Sequence, residues 1–392
     1  MISVEDALAR VLALGTALPN EVVALRQANG RVLAEPAEAG LDQPPFDASA
    51  MDGYAITDAD HRPGVRLRVI GEAAAGHAFE GAVQPGTAAR IFTGAPVPEG
   101  AERVVLQENV TRDGDLFTLN DTESQRHIRP RGQDFHKGQT MAAPRRLGPR
   151  DLSLLASMNV AEVRVSRRPV VAVISTGDEL VQPGETPGPD QIIASAGLAI
   201  VTMAEDCGAE ARLLPIARDT ESSLRQSFAL AEGADVIVTI GGASVGDHDL
   251  VGRVTEELGM ERAFWKIAMR PGKPLMAGRL RRAVLLGLPG NPVSAHVCAT
   301  LFLRPLLAAL QGLPGVHDLR RAELACDMPA NGVRTHFMRA SLERDVFPPR
   351  IRPFDRQDSA LMTELSQADA LLVRPADDPA RKAGDVVPWM PL

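Results

Sequence analysis

The spacing of apolar residues changes several times along the chain, and each change predicts a different kind of element. Ser3 with Asp6 resembles a capping box, with Asp in place of Glu or Gln, and Val4, Leu8, Val11 and Leu12 behind it form one helical face. Val22 to Ala34 reads as a second helix, interrupted at Asn29-Gly30. From Asp42 to about Pro144, glycine, proline and short alternating runs take over, as in Val65-Arg66-Leu67-Arg68-Val69-Ile70 and Val104-Val105-Leu106. This predicts a small β domain inserted into the N-terminal region, with a helix over Pro149–Met158 returning from it.

After Arg167-Arg168-Pro169 strands and helices alternate. A buried strand over Val170–Ser175 is followed by a helix over Ser195–Cys207, ended by Gly208. A strand at Ala211–Ile216 precedes a helix capped by Asp219 or Thr220 and running to Glu232. Val236–Ile240 then has the pattern of a strand buried on both faces, and a helix follows from Asp249 to Leu258. Strands near Phe264, Leu275 and Val284 and a last helix over Pro292–Leu310 complete the series. The alternation predicts an α/β domain with a mostly parallel sheet and helices on both faces. Beyond Gly315 short strands and many prolines predict a small separate β domain. The expected division is 1–41 with 141–168 as an N-terminal helical linking domain, 42–140 as the inserted β-rich domain, 169–314 as the α/β catalytic domain, and 315–392 as the C-terminal domain.

Composition narrows the class. At 392 residues the chain exceeds one core, and 45% apolar with 23% charged residues is the balance of a soluble globular protein. A net charge of −8 argues against nucleic acid or an acidic membrane as the main partner, though a local site can still bind a small anion. Cys207, Cys298 and Cys326 form no CxxC, which points to reduced thiols in the cytoplasm and to buried filler. Glu5 and Asp6 stand where a signal peptide would be basic, and no apolar run is expected to span a membrane. The eight histidines are scattered and read as surface or packing residues, with His248 set apart because it lies between Asp247 and Asp249.

Four turns leave apolar runs where ligands bind in open α/β sheets, at the carboxyl ends of strands. Ser175-Thr176-Gly177-Asp178-Glu179-Leu180 offers hydroxyls, a glycine and two carboxylates. Gly241-Gly242, with Ser244 behind them, can bring backbone N–H groups close to an anion, and Asp247 and Asp249 add carboxylates suited to Mg²⁺ beside a phosphate. Arg270-Pro271-Gly272-Lys273-Pro274, with Lys266 upstream, supplies cations. Leu288-Pro289-Gly290-Asn291-Pro292 opens a helix at its anion-binding end. Each turn alone is explained as well by ordinary turn chemistry; together they suit binding and cleavage of a phosphoanhydride with Mg²⁺.

Seven motifs carry a more specific signal: SAMDGYA, FTGAPVPEGA, GQDFHKG, STGDEL, GGASVGDHD, MRPGKP and LPGNPVSA, in that order. In this the chain resembles the MoeA family, the molybdopterin molybdenumtransferases, over nearly its whole length. The resemblance implies a homodimer of four-domain subunits, with a molybdopterin-binding, MogA-like three-layer α/β domain and a C-terminal β-barrel. It implies Mg²⁺-dependent insertion of molybdate into adenylylated molybdopterin with release of AMP, in molybdenum cofactor biosynthesis. By motif, Asp52 and Thr93 would lie at the active cleft, supplied across the dimer, and Asp134 would be a further acidic position. Glu179, Asp219 and Asp249 match acidic active-site positions, and Glu179, Asp247 and Asp249 would organise the metal. Lys266, Arg270 and Lys273 would hold phosphate or molybdate. Thr176, Gly177, Gly241, Gly242, Ser244 and Gly246, with Pro289 and Pro292, would line the pterin nucleotide. Two departures stand out: Ala196 occupies a region where family members often carry Asn, and Arg270 stands where Lys is common. A molybdopterin adenylyltransferase shares the α/β fold, but SAMDGYA and the inserted β domain argue against it; a cofactor carrier or scaffold without turnover is the other alternative. An adenylyltransferase and molybdoenzymes are the implied partners.

Overall fold

The structure, a computed structural model, describes residues 1–242 and 250–392. The chain forms two compact units. One comprises Met1–Glu21, Gly30–Val32 and Val165–Leu392; the other comprises Val22–Asn29 and Leu33–Arg164.

The first unit is built on a six-stranded sheet with the order Glu210–Leu213, Val170–Ser175, Val236–Ile240, Ala283–Leu288, Met276–Leu280, Met260–Trp265. The first four strands are parallel. The sheet is mostly parallel, as expected, and only the last two pairings at its far edge are antiparallel. For the pairing of Met276–Leu280 with Ala283–Leu288 the reason is chain length: only Arg281 and Arg282 join Leu280 to Ala283, enough for a hairpin and far too short for a crossover. Period-two alternation fills both faces. Val171, Val173, Val236 and Val238 pack on one side with the helix Ala196–Asp206 and the segment Pro292–Leu310. Ala172, Ile174 and Ile237 pack on the other with the helices Glu221–Leu230 and Leu250–Glu257.

The N-terminal helix runs Val4–Leu14, capped as expected by the Ser3 hydroxyl, which accepts from the Asp6 amide at 3.0 Å. Thr220, not Asp219, caps the helix that begins at Glu221. The strand expected over Ala211–Ile216 is Glu210–Leu213, since Pro215 has no N–H for a ladder. Pro292–Leu310 is a continuous helical segment long and apolar enough to cross a bilayer, which corrects the expectation that no run could; 78% of its apolar window is buried, as in a core helix.

In the same unit five strands close into a barrel: Arg320–Leu324, Thr335–Glu343, Arg350–Pro353, Ala370–Arg374 and Val386–Pro391. Beside the closed barrel, the short strand Met269–Arg270 pairs in parallel with Thr335–His336. The barrel thus grips the basic loop of the α/β domain directly.

The second unit centres on another six-stranded sheet, in the order Arg103–Leu106, Gly53–Ile56, Thr87–Ile91, Arg66–Ala73, Leu116–Leu119, Val110–Asp113. Alternation again splits its core: Tyr54, Ile56 and Leu67 face one way and Ala55, Ala89 and Ile91 the other. The helix expected over Val22–Ala34 does not form. Asn20–Ala24 is a strand, Leu25–Gln27 a single 3-10 turn, and Val32–Leu33 a strand. Two adjacent β-branched residues, Val22 and Val23, disfavour helix, and Gly30 turns the chain with φ of 73°.

Candidate active site

Register places the four turns at one sheet edge. Ser175 stands beside Ile240, and Ile240 beside Leu288, so these three strands end level with one another. Trp265 pairs with Met276, and Met276 with Gly287, so the basic loop leaves at the same edge.

Glycine lets the first, second and fourth turns meet at backbone distance. The Thr176 amide donates to the Ile240 carbonyl at 2.9 Å, and the Gly241 amide to the Leu288 carbonyl at 3.1 Å. A Cβ on Gly241 would lie 2.8 Å from the Thr176 carbonyl oxygen, and one on Gly242 would lie 2.4 Å from Val251 Cγ2 and 2.9 Å from Thr176 Oγ1. Both glycines have positive φ, 90° and 64°. Gly290 closes the third side, since a Cβ there would stand 3.5 Å from the Gly241 Cα. Thr176 is buried, and its hydroxyl reaches the Ile240 carbonyl at 3.3 Å. Pro289 is buried below this floor, and Pro292 opens the helix Pro292–Cys298 in its first turn.

The acidic side is organised by a residue that sequence reasoning missed. Arg218 donates to the carbonyls of Asp178 at 3.0 Å and Leu180 at 3.1 Å, which draws its neighbour Asp219 to the turn. The Asp219 amide in turn donates to Asp178 Oδ1 at 3.2 Å. Glu179 folds back over Gly177, where a Cβ would lie 2.2 Å from its carboxylate. Glu179 and Asp219 are both exposed at this mouth. Ser244, Gly246, Asp247, His248 and Asp249 lie outside the described residues. Among the described residues no three or more His, Cys, Asp or Glu converge on a metal site. The donor that is described, Glu179, is the hard oxygen type that Mg²⁺ takes.

On the basic side Arg270 and Lys273 are exposed, and Lys266 is half-buried with φ of 74°. Gly272 packs on the buried Cys298, whose thiol burial holds far above its ordinary range, so Cys298 is filler and not a nucleophile. Arg270 sits beside His336 in the ladder. Ser359, also missed, ties the fourth turn down: Asn291 Nδ2 donates to its hydroxyl at 2.9 Å, and its carbonyl accepts from the Val293 amide at 3.2 Å. Ala196, the position that departs from the family pattern, is 9% exposed and packs into the core.

Burial, with the charges of Arg270, Arg334, Arg374 and Arg339 beside it, pushes the His336 imidazole down to about 4. The folded protein therefore keeps His336 neutral where an unfolded chain, near 6.5, would protonate it. The stability this contributes is complete above pH 6.5 and is lost as pH falls toward 4, by about 3 kcal/mol at ~1.4 kcal/mol per pH unit. Urea unfolding across that range should show the loss in the native protein, and a flatter profile in His336→Gln.

In the second unit Asp52 Oδ1 accepts from both the amide and the hydroxyl of Thr93, each at 2.8 Å. Those two bonds, the amide first, hold the Asp52 carboxyl below the usual carboxylate range, with Arg90 adding to the effect. Arg90 braces the turn by donating to the Gly53 carbonyl at 2.8 Å and to Gln107 Oε1 at 2.6 Å. Asp134, whose amide donates to the Gln43 carbonyl at 2.9 Å, lines a cavity of about 610 Å³ with Phe46, Gly94 and Arg129. Gly94 follows Thr93, so the FTGA and GQDFHKG motifs meet at one cavity.

An α/β sheet edge with a glycine floor, carboxylates on one side and cations on the other is the arrangement of a protein class suited to small phosphate-bearing ligands. The chain belongs to the MoeA family: residues 2–159 match the MoeA N-terminal region (domain I and II), 172–309 a probable molybdopterin binding domain, and 321–392 the MoeA C-terminal region (domain IV). It is 39% identical over 296 residues to a molybdopterin molybdenumtransferase of Haemophilus influenzae, covering 74% of this chain and 73% of that one. To a molybdopterin molybdenumtransferase of Bacillus subtilis it is 32% identical over 98% of its own length and 93% of the relative's. The crystal structure of a molybdopterin biosynthesis MoeA protein from Pyrococcus horikoshii superposes with a TM-score of 0.85 at 27% identity, covering 100% of both chains.

Proposed function

We propose that this protein is a molybdopterin molybdenumtransferase, which takes adenylylated molybdopterin and molybdate, cleaves the anhydride and releases AMP and molybdenum cofactor. The observation that supports this best is the glycine floor at Gly241, Gly242 and Gly290, level with a cationic loop on the same edge. With no Cβ on Gly241 and Gly242 the turns close to backbone distance, and their backbone N–H groups are then available to a pyrophosphate. Thr176, Gly177, Pro289 and Pro292 shape the floor, with Ser244 and Gly246 assigned to it by motif. Lys266, Arg270 and Lys273 supply the charge that anionic oxygens need, and Arg270 adds a planar two-pronged donor. Catalysis on this reading is positioning and electrostatics, as in phosphoryl transfer generally.

Glu179, with Asp247 and Asp249, would hold Mg²⁺. A divalent cation held by these carboxylates would supply charge neutralisation for an anhydride. Asp219 steadies the acidic turn through Asp178. Asp52, Thr93 and Asp134 are assigned to the same cleft, contributed by the partner subunit of a homodimer acting in the cytoplasm. The four-part division at 1–41 with 141–168, 42–140, 169–314 and 315–392 belongs to the same reading.

The test is AMP production from adenylylated molybdopterin. Release that requires protein, molybdate and Mg²⁺ together supports the transferase. Turnover of ATP with molybdopterin alone would make it an adenylyltransferase, and pterin binding without AMP release a carrier.

A further inference from the structure

We propose that Trp265 is a positioning residue for Lys266, holding its ammonium at the sheet edge as an anion anchor without neutralising it; the role in turnover rests on the reading above. Lys266 Nζ lies over the Trp265 ring, 4.9 Å from its centroid. Neighbouring residues on a strand point to opposite faces, so a contact between them requires a break in the strand. Lys266 makes that break with φ of 74°, a left-handed conformation that lysine rarely adopts. Backbone bonds pin it: the Lys266 amide donates to the Leu275 carbonyl at 3.1 Å and the Ile267 amide to the Lys273 carbonyl at 3.0 Å. The ring is fixed as well, paired opposite Met276 and packed on the core that includes Val251 and Val254.

The chemistry follows from what each cation over this ring is paired with. Arg262 also lies over Trp265, at 5.3 Å, but its charge is met by Glu256. Lys266 makes no ion pair among the described residues. A carboxylate would position the ammonium by cancelling its charge. An aromatic face attracts the ammonium through its quadrupole and leaves the full charge for a ligand. The half-buried setting strengthens its attraction for an anionic oxygen. The ligand class is a multivalent oxyanion, a phosphoanhydride or a tetrahedral oxyanion.

The experiment uses the full-length protein, with inorganic pyrophosphate as the probe in calorimetry and AMP release as the second readout. Trp265→Met keeps apolar bulk and loses the π face; Trp265→Phe keeps a π face. Trp265→Met should weaken pyrophosphate binding roughly tenfold and raise KM for adenylylated molybdopterin in parallel with kcat little changed, while Trp265→Phe stays within about threefold of the native protein. Added to Lys266→Gln, Trp265→Met should cost nothing further. Native-like binding by Trp265→Met, or a full additional loss on top of Lys266→Gln, overturns the proposal. So does a native protein that does not bind pyrophosphate. If Trp265→Met does not fold, tetrafluorinated tryptophan drains the π face at nearly unchanged shape and should weaken binding in the same way; unchanged binding then overturns it. A native protein that binds pyrophosphate with this pattern but releases no AMP retires the transferase reading and leaves the positioning role standing.

Discussion

Gly241→Ala is expected to slow molybdate-dependent AMP release about 100-fold, the scale on which a displacement near 1 Å disables a positioned site. The alanine methyl would sit 2.8 Å from the Thr176 carbonyl oxygen, in a backbone with φ of 90°. Thr176 cannot yield easily, because its amide is bonded to Ile240 at 2.9 Å and its side chain is buried. The Gly-Gly turn would have to retreat from the TGDEL turn, and the anion floor would open. The same substitution also carries backbone strain of roughly 1–3 kcal/mol, which by itself lowers stability. Gly233→Ala separates the two effects. Gly233 has φ of 82° with nothing within 4 Å of the added Cβ, so it carries the strain and displaces no neighbour. Melting temperatures of the two variants should fall together, while only Gly241→Ala loses turnover. Equal activity in both would mean that the anhydride does not lie on Gly241.

What could be read from the sequence divides along a physical line. The buried strand Val236–Ile240 and the glycines that end it were legible, because an apolar run closed by Gly-Gly has few other solutions. The meeting of the four turns was legible as soon as their strands were assigned to one sheet, since a parallel strand order brings successive carboxyl ends to one edge. The direction of the last two strands was not legible, because the apolar spacing of a strand is the same in either direction. Nor was Val22–Ala34, where the helical spacing lost to two β-branched residues and a left-handed glycine.

Residues that act through long-range hydrogen bonds left no pattern. Arg218 stands one position before an expected site residue but earns its place through carbonyls 38 and 40 positions away. Ser359 ties Asn291 from 68 positions downstream. Trp265 carries no pattern of its own beside Phe264, and the left-handed turn at Lys266 is what brings the charge onto its ring. Asp52 and Thr93, 41 positions apart, were singled out through the family resemblance and not through local pattern.

Asp52→Asn is expected to lower AMP release on the order of 100-fold at neutral pH, with substrate binding much less affected. The substitution keeps the shape and can keep the bonds from Thr93, so what it removes is the negative charge. The two Thr93 bonds favour this charge: both donors aim at Oδ1 at 2.8 Å, and they hold the carboxyl below its ordinary value. A carboxyl with a lowered pKa is ionised above that value and stays ionised as pH falls through the range where an ordinary carboxyl would begin to protonate. The deficit of Asp52→Asn should therefore be constant from about pH 5 to 8, because the native side chain does not change its protonation across that window. Thr93→Val should raise the Asp52 pKa toward its ordinary value and lower turnover less than Asp52→Asn does, since the charge at pH 7 survives but its aim is lost. Thr93→Ser, which keeps both donors, should stay near the native rate. The kcat profile of the three variants against pH is the measurement. A deficit for Asp52→Asn that widens as pH falls to 5 would mean that the protonated carboxyl is the working form, and Asp52 would then be a hydrogen-bond donor in the cleft and not a charge.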